Sequence, residues 1–150
     1  MPRPRRRRQV RFHRWRVLVV EDDDSFAQAL RLLLEEDGRL EVVGSARDGR
    51  EGVELTDTLR PDVVLMDIVL PVMDGVEATR EIRRRQPAIP VVGITGLAYE
   101  ERALEVSNAG AVDFVRKGRL DPDLVEIVVA AGHHRWRRGR GRRYRRLRRS

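Results

Sequence analysis

The chain has 150 residues, a net charge of +7 and no cysteine. This length suits one domain with a buried core, and the lack of cysteine excludes a disulfide framework and thiolate metal sites, so we expect a cytoplasmic protein. No apolar run approaches the roughly 20 residues that a membrane span needs, and we therefore expect neither a membrane contact nor export.

The positive charge is concentrated at the two ends of the chain. Residues 1–16 hold eight arginines and residues 133–150 hold ten, with no acid in either stretch, so the middle carries a net charge of −11. Runs of like charge interrupted by proline and glycine are typical of disorder. The sequence thus predicts disordered Arg-rich tails at 1–15 and 133–150 around one folded domain at 16–132.

Two interpretations of these tails stay open. One is biased composition without a function. The other is attachment to nucleic acid through the arginines, with Trp15, Trp136 and Tyr144 stacking on bases. Salt-sensitive binding that disappears when both tails are removed would identify the second.

The middle of the chain alternates strand-like and helix-like patterns. Short apolar, β-branched runs predict strands at 17–20, 40–44, 63–66, 89–95 and 111–116. Apolar residues at helical spacing, bounded by capping and turn residues, predict helices at 25–36, 49–59, 76–85, 99–108 and 122–131, the third with its arginines facing water. Five such βα units imply an α/β fold with a doubly wound parallel sheet and right-handed crossovers.

The third strand organises the rest of the chain. Val63 to Met66 form a continuous apolar run, typical of a strand that is buried on both faces, and the run ends abruptly in Asp67. Ligands bind at the carboxyl edge of open parallel sheets, and Asp67 lies at that edge. Other strands end there in side chains of complementary chemistry: Glu21, Asp22 and Asp23 after strand one, Thr95 after strand four and Lys117 after strand five.

These side chains suit phosphoryl transfer. Clustered carboxylates repel unless a cation lies among them, and oxygen ligands suit Mg²⁺. The cation, the Thr95 hydroxyl and the Lys117 ammonium would neutralise phosphoryl oxygens while an Asp67 oxygen attacks. Lys117 is the only lysine among 31 basic residues. A compact point charge in a chain so rich in arginine indicates a specific role.

Four motifs in this order and spacing resemble the receiver domain of bacterial two-component response regulators. They are VLVVEDD at 17–23, PDVVLMDIVLPVMDG at 61–75, VVGITG at 91–96 and GAVDFVRK at 110–117. The resemblance covers the whole predicted domain and implies a flavodoxin-like sheet with strand order 2-1-3-4-5 and five helices. The chemotaxis receiver is a standard example of that strand order, so the order follows from the resemblance and not from the residue pattern.

The resemblance also implies roles for single residues. Asp67 matches the aspartate that accepts a phosphoryl group from a sensor histidine kinase or a phosphotransfer protein. Glu21, Asp22 and Asp67 match the acids that hold Mg²⁺, with Asp23 as a substitute if the register is off by one, and Val69 matches the residue that adds a backbone carbonyl. Lys117 matches the family's lysine. Thr95 and Phe114 match the switch pair, whose side chains follow the phosphoryl group.

The departures from the family pattern lead to further expectations. Val69 and Leu97 are apolar where some receivers carry polar groups that orient the hydrolytic water, so we expect slow loss of the phosphoryl group. A haloacid dehalogenase-type phosphotransferase also uses a strand-end aspartate with Mg²⁺, but it needs a second aspartate where this chain has Val69. We therefore expect a phosphoacceptor signalling domain and not a separate enzyme.

The segments MDGVEATREIR and RKG are similar to the corresponding segments of receivers that precede a LuxR-type helix-turn-helix domain. Only 18 residues follow Gly132, too few to bury a DNA-binding core, so we expect a stand-alone receiver. Its output would go to a partner protein through the face made by helix four, strand five and helix five, and the resemblance also admits a homodimer. The alternative is a nucleic-acid-associated protein in which the receiver serves as switch or scaffold.

Overall fold

The computed structural model describes residues 14–96, 100–119 and 123–134. The strands are β1 (Trp15–Val20), β2 (Leu40–Ala46), β3 (Val63–Asp67), β4 (Val91–Thr95) and β5 (Asp113–Arg116). The helices are α1 (Asp24–Glu36), α2 (Gly49–Leu59), α3 (Gly75–Arg85), α4 (Glu100–Asn108) and α5 (123–134), and one 3₁₀ turn covers Lys117–Arg119.

The five strands form one parallel sheet in the order β2-β1-β3-β4-β5, which confirms the predicted flavodoxin-like fold. β3 lies at the centre of the sheet, and every one of its residues is buried. Its position explains the unbroken apolar run, because helices cover both faces of the sheet at this strand and neither face of β3 contacts water. Asp67 ends this strand at the carboxyl edge.

Alternate residues of β1 enter two separate cores. Val17 and Val19 pack with Leu30 and Leu34 of α1 and with the apolar side of α5. Leu18 and Val20 point to the opposite face and pack with residues of α2 and α3. Side chains that point alternately up and down along a strand produce this division, and the helices then cover each side of the sheet.

Three aspartates begin the helices that follow the carboxyl edge of the sheet. The side chains of Asp23, Asp48 and Asp74 each accept a hydrogen bond from the backbone N–H three residues on, at 3.0, 2.8 and 2.9 Å respectively. Such caps satisfy N–H groups that have no partner inside the helix. Among the acids predicted for this edge, Asp23 therefore has a structural use, and Glu21, Asp22 and Asp67 remain for a functional site.

Two expectations about single residues are wrong. Trp15 begins β1, is only 8% exposed and contacts the His133 ring edge-on, so it is not available to stack on bases. The arginines of the third helix do not all face water, because Arg83 is partly buried. Its guanidinium donates to the carbonyl oxygens of Pro87 and Ile89 and ties the end of α3 to the entry of β4.

Several expectations concern residues outside the described ranges: the predicted start of the last helix at residue 122, Leu97, and the Trp136 and Tyr144 side chains. Within the described ranges, none of the helices has the length and apolar character that crossing a bilayer requires.

Candidate functional site

Three carboxylates converge at the carboxyl edge of the sheet, where β1 and β3 end side by side. Glu21, Asp22 and Asp67 each place an oxygen within 4.8 Å of the other two. Glu21 and Asp67 are buried, at 1% and 2% exposure, whereas Asp22 is exposed. The backbone fixes this arrangement, because Val20 and Met66 are paired neighbours, so Glu21, which directly follows β1, comes beside Asp67, the last residue of β3.

Lys117 closes the site from the end of β5. Its Nζ lies 2.8 Å from Asp67 Oδ2 and 3.4 Å from Glu21 Oε2. The other Asp67 oxygen, Oδ1, accepts a hydrogen bond from the Val69 N–H at 3.1 Å. Burial alone would lower the pKa of Lys117, but the hydrogen bond and charge of Asp67, together with Glu21, outweigh burial and raise it. The ammonium therefore stays charged beside Asp67.

The electrostatics of Glu21 fit a bound cation. Burial, followed by the hydrogen bond and negative charge of Asp67, raises the pKa of Glu21 to about 8, and Lys117 offsets this only in part. Among the described residues, Glu21 Oε2 is the buried side-chain oxygen that makes no hydrogen bond. A divalent cation with oxygen ligands would use this oxygen and relieve the repulsion between carboxylates.

The remaining predicted site residues take different positions. Thr95 ends β4 beside β3 and is buried, so its hydroxyl belongs to the same edge as Asp67. Asp23 caps α1 and lies outside the carboxylate cluster. Val69 contacts Asp67 through its N–H; the role of its carbonyl stays a prediction. Phe114 of β5 pairs with Gly93 of β4 and is 40% exposed. The structure therefore places its side chain at the surface and outside the carboxylate cluster.

Two contributors to the site were not expected from the sequence. The Lys117 Nζ lies 4.7 Å from the centre of the Phe26 ring, a cation–π contact from the first turn of α1. Asp74 caps α3 with one oxygen and accepts from Arg102 of α4 with the other at 2.8 Å. In the sequence, Phe26 is only an apolar helix position and Asp74 only a turn residue. The first turn of α1 directly follows the acids of strand one. This closeness in sequence was the available signal that Phe26 could lie beside the site.

The loop after Asp67 contains a strained residue. Val72 has a φ of 67°, and the Met73 N–H donates to the Pro71 carbonyl at 2.7 Å, which closes a γ-turn around Val72. A β-branched residue is unfavourable in this region because Cβ approaches the backbone oxygen. The Val72 side chain is 75% exposed and gains little from burial. The strain therefore lies within five residues of the candidate phosphoacceptor.

Replacing Val72 by glycine is expected to stabilise the fold by about 1 kcal/mol, because glycine adopts a positive φ without the Cβ penalty. Urea unfolding followed by circular dichroism would measure the change. Val112→Gly is the matched control, since Val112 is also exposed but has an ordinary φ, and it should lose about 0.5–1 kcal/mol. Equal destabilisation by the two changes would contradict strain at Val72.

A doubly wound sheet with a buried aspartate, two further acids, a hydroxyl and a lysine at its carboxyl edge defines a phosphoryl-accepting α/β domain. Comparison with known families matches residues 17–129 to the response regulator receiver domain. The chain belongs to this family. Receivers of the family interact with histidine kinases or phosphotransfer proteins and typically bind Mg²⁺.

Individual relatives include receivers attached to different outputs. The chain is 47% identical over 108 residues to a protein-glutamate methylesterase/protein-glutamine glutaminase of Alkalilimnicola ehrlichii, a match that covers 71% of this chain and 27% of the relative. It is 35% identical over 116 residues to the transcriptional regulatory protein LiaR of Bacillus subtilis, which covers 77% of this chain and 55% of LiaR. The chain thus spans about a quarter of the first relative and about half of the second.

Solved structures agree with this assignment. The response regulator domain of Thermotoga maritima CheB has a TM-score of 0.76 and 32% identity, covering 81% of this chain and 98% of that domain. The signal receiver domain of the response regulator NarL from Mycobacterium tuberculosis also has a TM-score of 0.76, with 27% identity and the same coverage. The predicted receiver family and its strand order are therefore confirmed.

Proposed function

We propose that this chain is a receiver that accepts a phosphoryl group on Asp67 from a histidine kinase or a phosphotransfer protein in a Mg²⁺-dependent reaction. The observation that carries the proposal is the 2.8 Å contact between Lys117 Nζ and Asp67 Oδ2 inside a group of three converging carboxylates. The contact gives a buried nucleophile a fixed positive neighbour, which a structural aspartate at this edge does not need.

The residues have separate tasks in the transfer. An Asp67 oxygen attacks phosphorus, the new O–P bond forms as the N–P bond of a phosphohistidine breaks, and the imidazole leaves with the bonding electrons. Lys117 Nζ already contacts Asp67 Oδ2 and neutralises an oxygen of the incoming phosphoryl group. The Thr95 hydroxyl donates to another oxygen from the end of the neighbouring strand. The Val69 N–H orients Asp67 through Oδ1.

Mg²⁺ would be held by Glu21, Asp22 and Asp67, the three acids whose oxygens converge. When bound there it would supply positive charge that offsets the charge of the incoming phosphoryl group. Asp22 is exposed and offers its carboxylate from the open side, whereas Glu21 presents from within its Oε2, which makes no hydrogen bond and lies 3.4 Å from Lys117 Nζ. The backbone carbonyl of Val69 completes the predicted ligand set.

The proposal is tested by exposing the purified protein to acetyl phosphate with Mg²⁺ and measuring the intact mass. We expect an increase of one phosphoryl group, and peptide mapping after borohydride reduction should place it on Asp67. Omitting Mg²⁺ and adding EDTA should prevent the increase, because the acids then repel the phosphoryl donor. A label that forms equally well in EDTA, or on another residue, would contradict the proposed site.

The phosphoryl group on Asp67 is expected to last for minutes rather than seconds. Val69 is 42% exposed beside Asp67 and presents an apolar side chain that cannot orient an attacking water. Val69→Asn should shorten the lifetime, whereas Val69→Leu, which stays apolar, should leave it unchanged. Mass spectrometry at intervals after removal of the donor measures the lifetime. A wild-type half-life of seconds would rule out this role of Val69.

We further propose that the output passes to a downstream protein through α4, β5 and α5. Leu104 on α4 and Phe114 on β5 are large apolar side chains with 68% and 40% exposure. Large apolar groups left in water on neighbouring elements favour a protein contact. Phe114 and Thr95 would couple this face to the phosphoryl group. A cytoplasmic location and the absence of a separate enzymatic activity remain parts of the proposal.

A further inference from the structure

The Lys117 ammonium lies beside two acids and the face of an aromatic ring. Among the described residues, its Nζ is 2.8 Å from Asp67 Oδ2, 3.4 Å from Glu21 Oε2 and 4.7 Å from the centre of the Phe26 ring. A cation within about 6 Å of a ring centre is attracted by the negative face of the ring. The Phe26 ring therefore forms one side of the position that the ammonium occupies.

Phe26 is fixed through both its backbone and its side chain. Its N–H donates to the Asp23 carboxylate that caps α1, at 3.0 Å. Its ring is half-buried and packs against the core that contains Val19 and Leu30. The capped first turn of α1 thus presents the ring as a fixed surface beside the carboxylate cluster.

The Lys117 side chain, by contrast, is not fixed by its own part of the backbone. Lys117 begins the 3₁₀ turn directly after β5, which is an edge strand in which Val115 alone is buried. Lysine has a flexible four-carbon stem and loses much rotamer freedom when its ammonium is held in one place. The contacts around Nζ therefore decide where this positive charge lies.

The two acids that contact Lys117 have other tasks in the proposed function. Glu21 and Asp67 belong to the group of acids that would hold Mg²⁺, and Asp67 also forms the bond to phosphorus. Their negative charge is then shared with the cation and the phosphoryl group. The apolar ring of Phe26 binds neither a hydrated cation nor a phosphoryl group, so its contact with Lys117 meets no such competition.

We propose that Phe26 is a positioning residue, whose ring face holds the Lys117 ammonium beside Asp67 for the transfer. The inference rests on the proposed function and gives Phe26 no contact with the phosphoryl group itself. If Phe26 served only to fill the core, leucine would replace it with little effect on the reaction. If the ring face matters, tyrosine should replace phenylalanine and leucine should not.

The chain contains one lysine, so a single residue reports the ring contact. In protein grown with ¹³C-labelled lysine, the ε-methylene protons of Lys117 should be shifted upfield by the ring current of Phe26. We expect this shift to remain in Phe26→Tyr and to be lost in Phe26→Leu. Leu33→Ala is the matched control, because Leu33 is a half-buried residue of α1 that packs against the same core, and it should keep the shift.

Acetyl phosphate labelling of Asp67 in the same proteins measures the effect on the reaction. We expect Phe26→Leu to be labelled about 5-fold more slowly, which corresponds to about 1 kcal/mol in the barrier and to the usual strength of a cation–π contact. Phe26→Tyr and Leu33→Ala should be labelled at close to the wild-type rate. Urea unfolding should show that Leu33→Ala loses at least as much stability as Phe26→Leu, so a slower rate does not follow from lost stability alone.

Several results would overturn the positioning role. Phe26→Leu labelled as fast as the wild type, or no upfield shift of the lysine signals in the wild type, would show that the ring does not hold the ammonium. Slowing of Phe26→Tyr or Leu33→Ala to the rate of Phe26→Leu would show that packing of α1 matters and the ring face does not. A wild type that takes up no label at all would contradict the receiver function, and with it any role of Phe26 in the transfer.

Discussion

The Asp67→Asn variant is expected to take up no phosphoryl group from acetyl phosphate while it keeps its fold. The amide has the shape of the carboxylate, so the contact with the Val69 N–H is retained. It has no negative charge, however, and its oxygen is a far weaker nucleophile. Removal of one of three converging acids also weakens the site for Mg²⁺. The expected loss is complete within the detection limit of intact-mass measurement.

The matched control is Asp62→Asn. Asp62 lies just before β3, and its side chain accepts a hydrogen bond from the Arg16 N–H at 2.9 Å, at the opposite edge of the sheet from Asp67. An asparagine oxygen accepts the same bond, so this variant should be labelled at the wild-type rate. Labelling of Asp67→Asn at even a tenth of that rate, a deficit of about 1.4 kcal/mol in the barrier, would show that another residue accepts the group.

The Gly75→Ala variant is expected to lose about 3 kcal/mol of folding free energy, because its new methyl group has no space. A Cβ at this position would lie 2.0 Å from the Asp67 carbonyl oxygen and 2.6 Å from Ile68 Cα. Both are backbone atoms and neither can rotate away. Either the first turn of α3 or the end of β3 must move, and movement of β3 displaces the phosphoacceptor.

Chemical denaturation with urea would measure the stability, and acetyl phosphate labelling of the protein that remains folded would measure the displacement of Asp67. Gly38→Ala is the control, since a Cβ there would meet nothing within 4 Å. That variant should match the wild type or be more stable by up to about 1 kcal/mol, because alanine restricts the unfolded chain. A Gly75→Ala protein as stable as Gly38→Ala would mean that α3 and β3 are not in close contact at this junction.

Both predictions concern the same crowded junction. Gly75 begins α3, and its N–H donates to the Ile68 carbonyl at 2.8 Å, so the helix starts directly against the residue that follows Asp67. Asp74 caps this helix and holds Arg102 of α4. A change at Asp67 can therefore reach α3 and α4 through short contacts. The arrangement supports the output face that we propose, and it accounts for the small residue at position 75.

Sequence periodicity is sufficient for the class of fold, though not for the strand order, because local patterns and global packing agree here. The unbroken apolar run before Asp67 predicts a central strand, and helical spacing at Leu30 and Leu34 predicts the covering helix. Asp67 and Thr95 each end a strand, and parallel strands end at the same edge of the sheet. The sequence therefore also predicts that these two residues lie at the carboxyl edge. The boundary residues are less predictable. The arginines around Trp15 indicate a tail, yet the large Trp15 ring is buried against α5.

The sequence by itself determined the class of fold, the edge at which the chemistry lies and the identity of the acids, threonine and lysine there, because strand periodicity and residue type are local properties. Only the tertiary structure decided which acids share the site and which cap helices, since Asp22 and Asp23 are neighbours with different partners. It also decided that Phe26 covers Lys117 and that Trp15 contacts His133 of α5. These are contacts between residues distant in sequence, and they depend on the packing of α1 and α5 against β1.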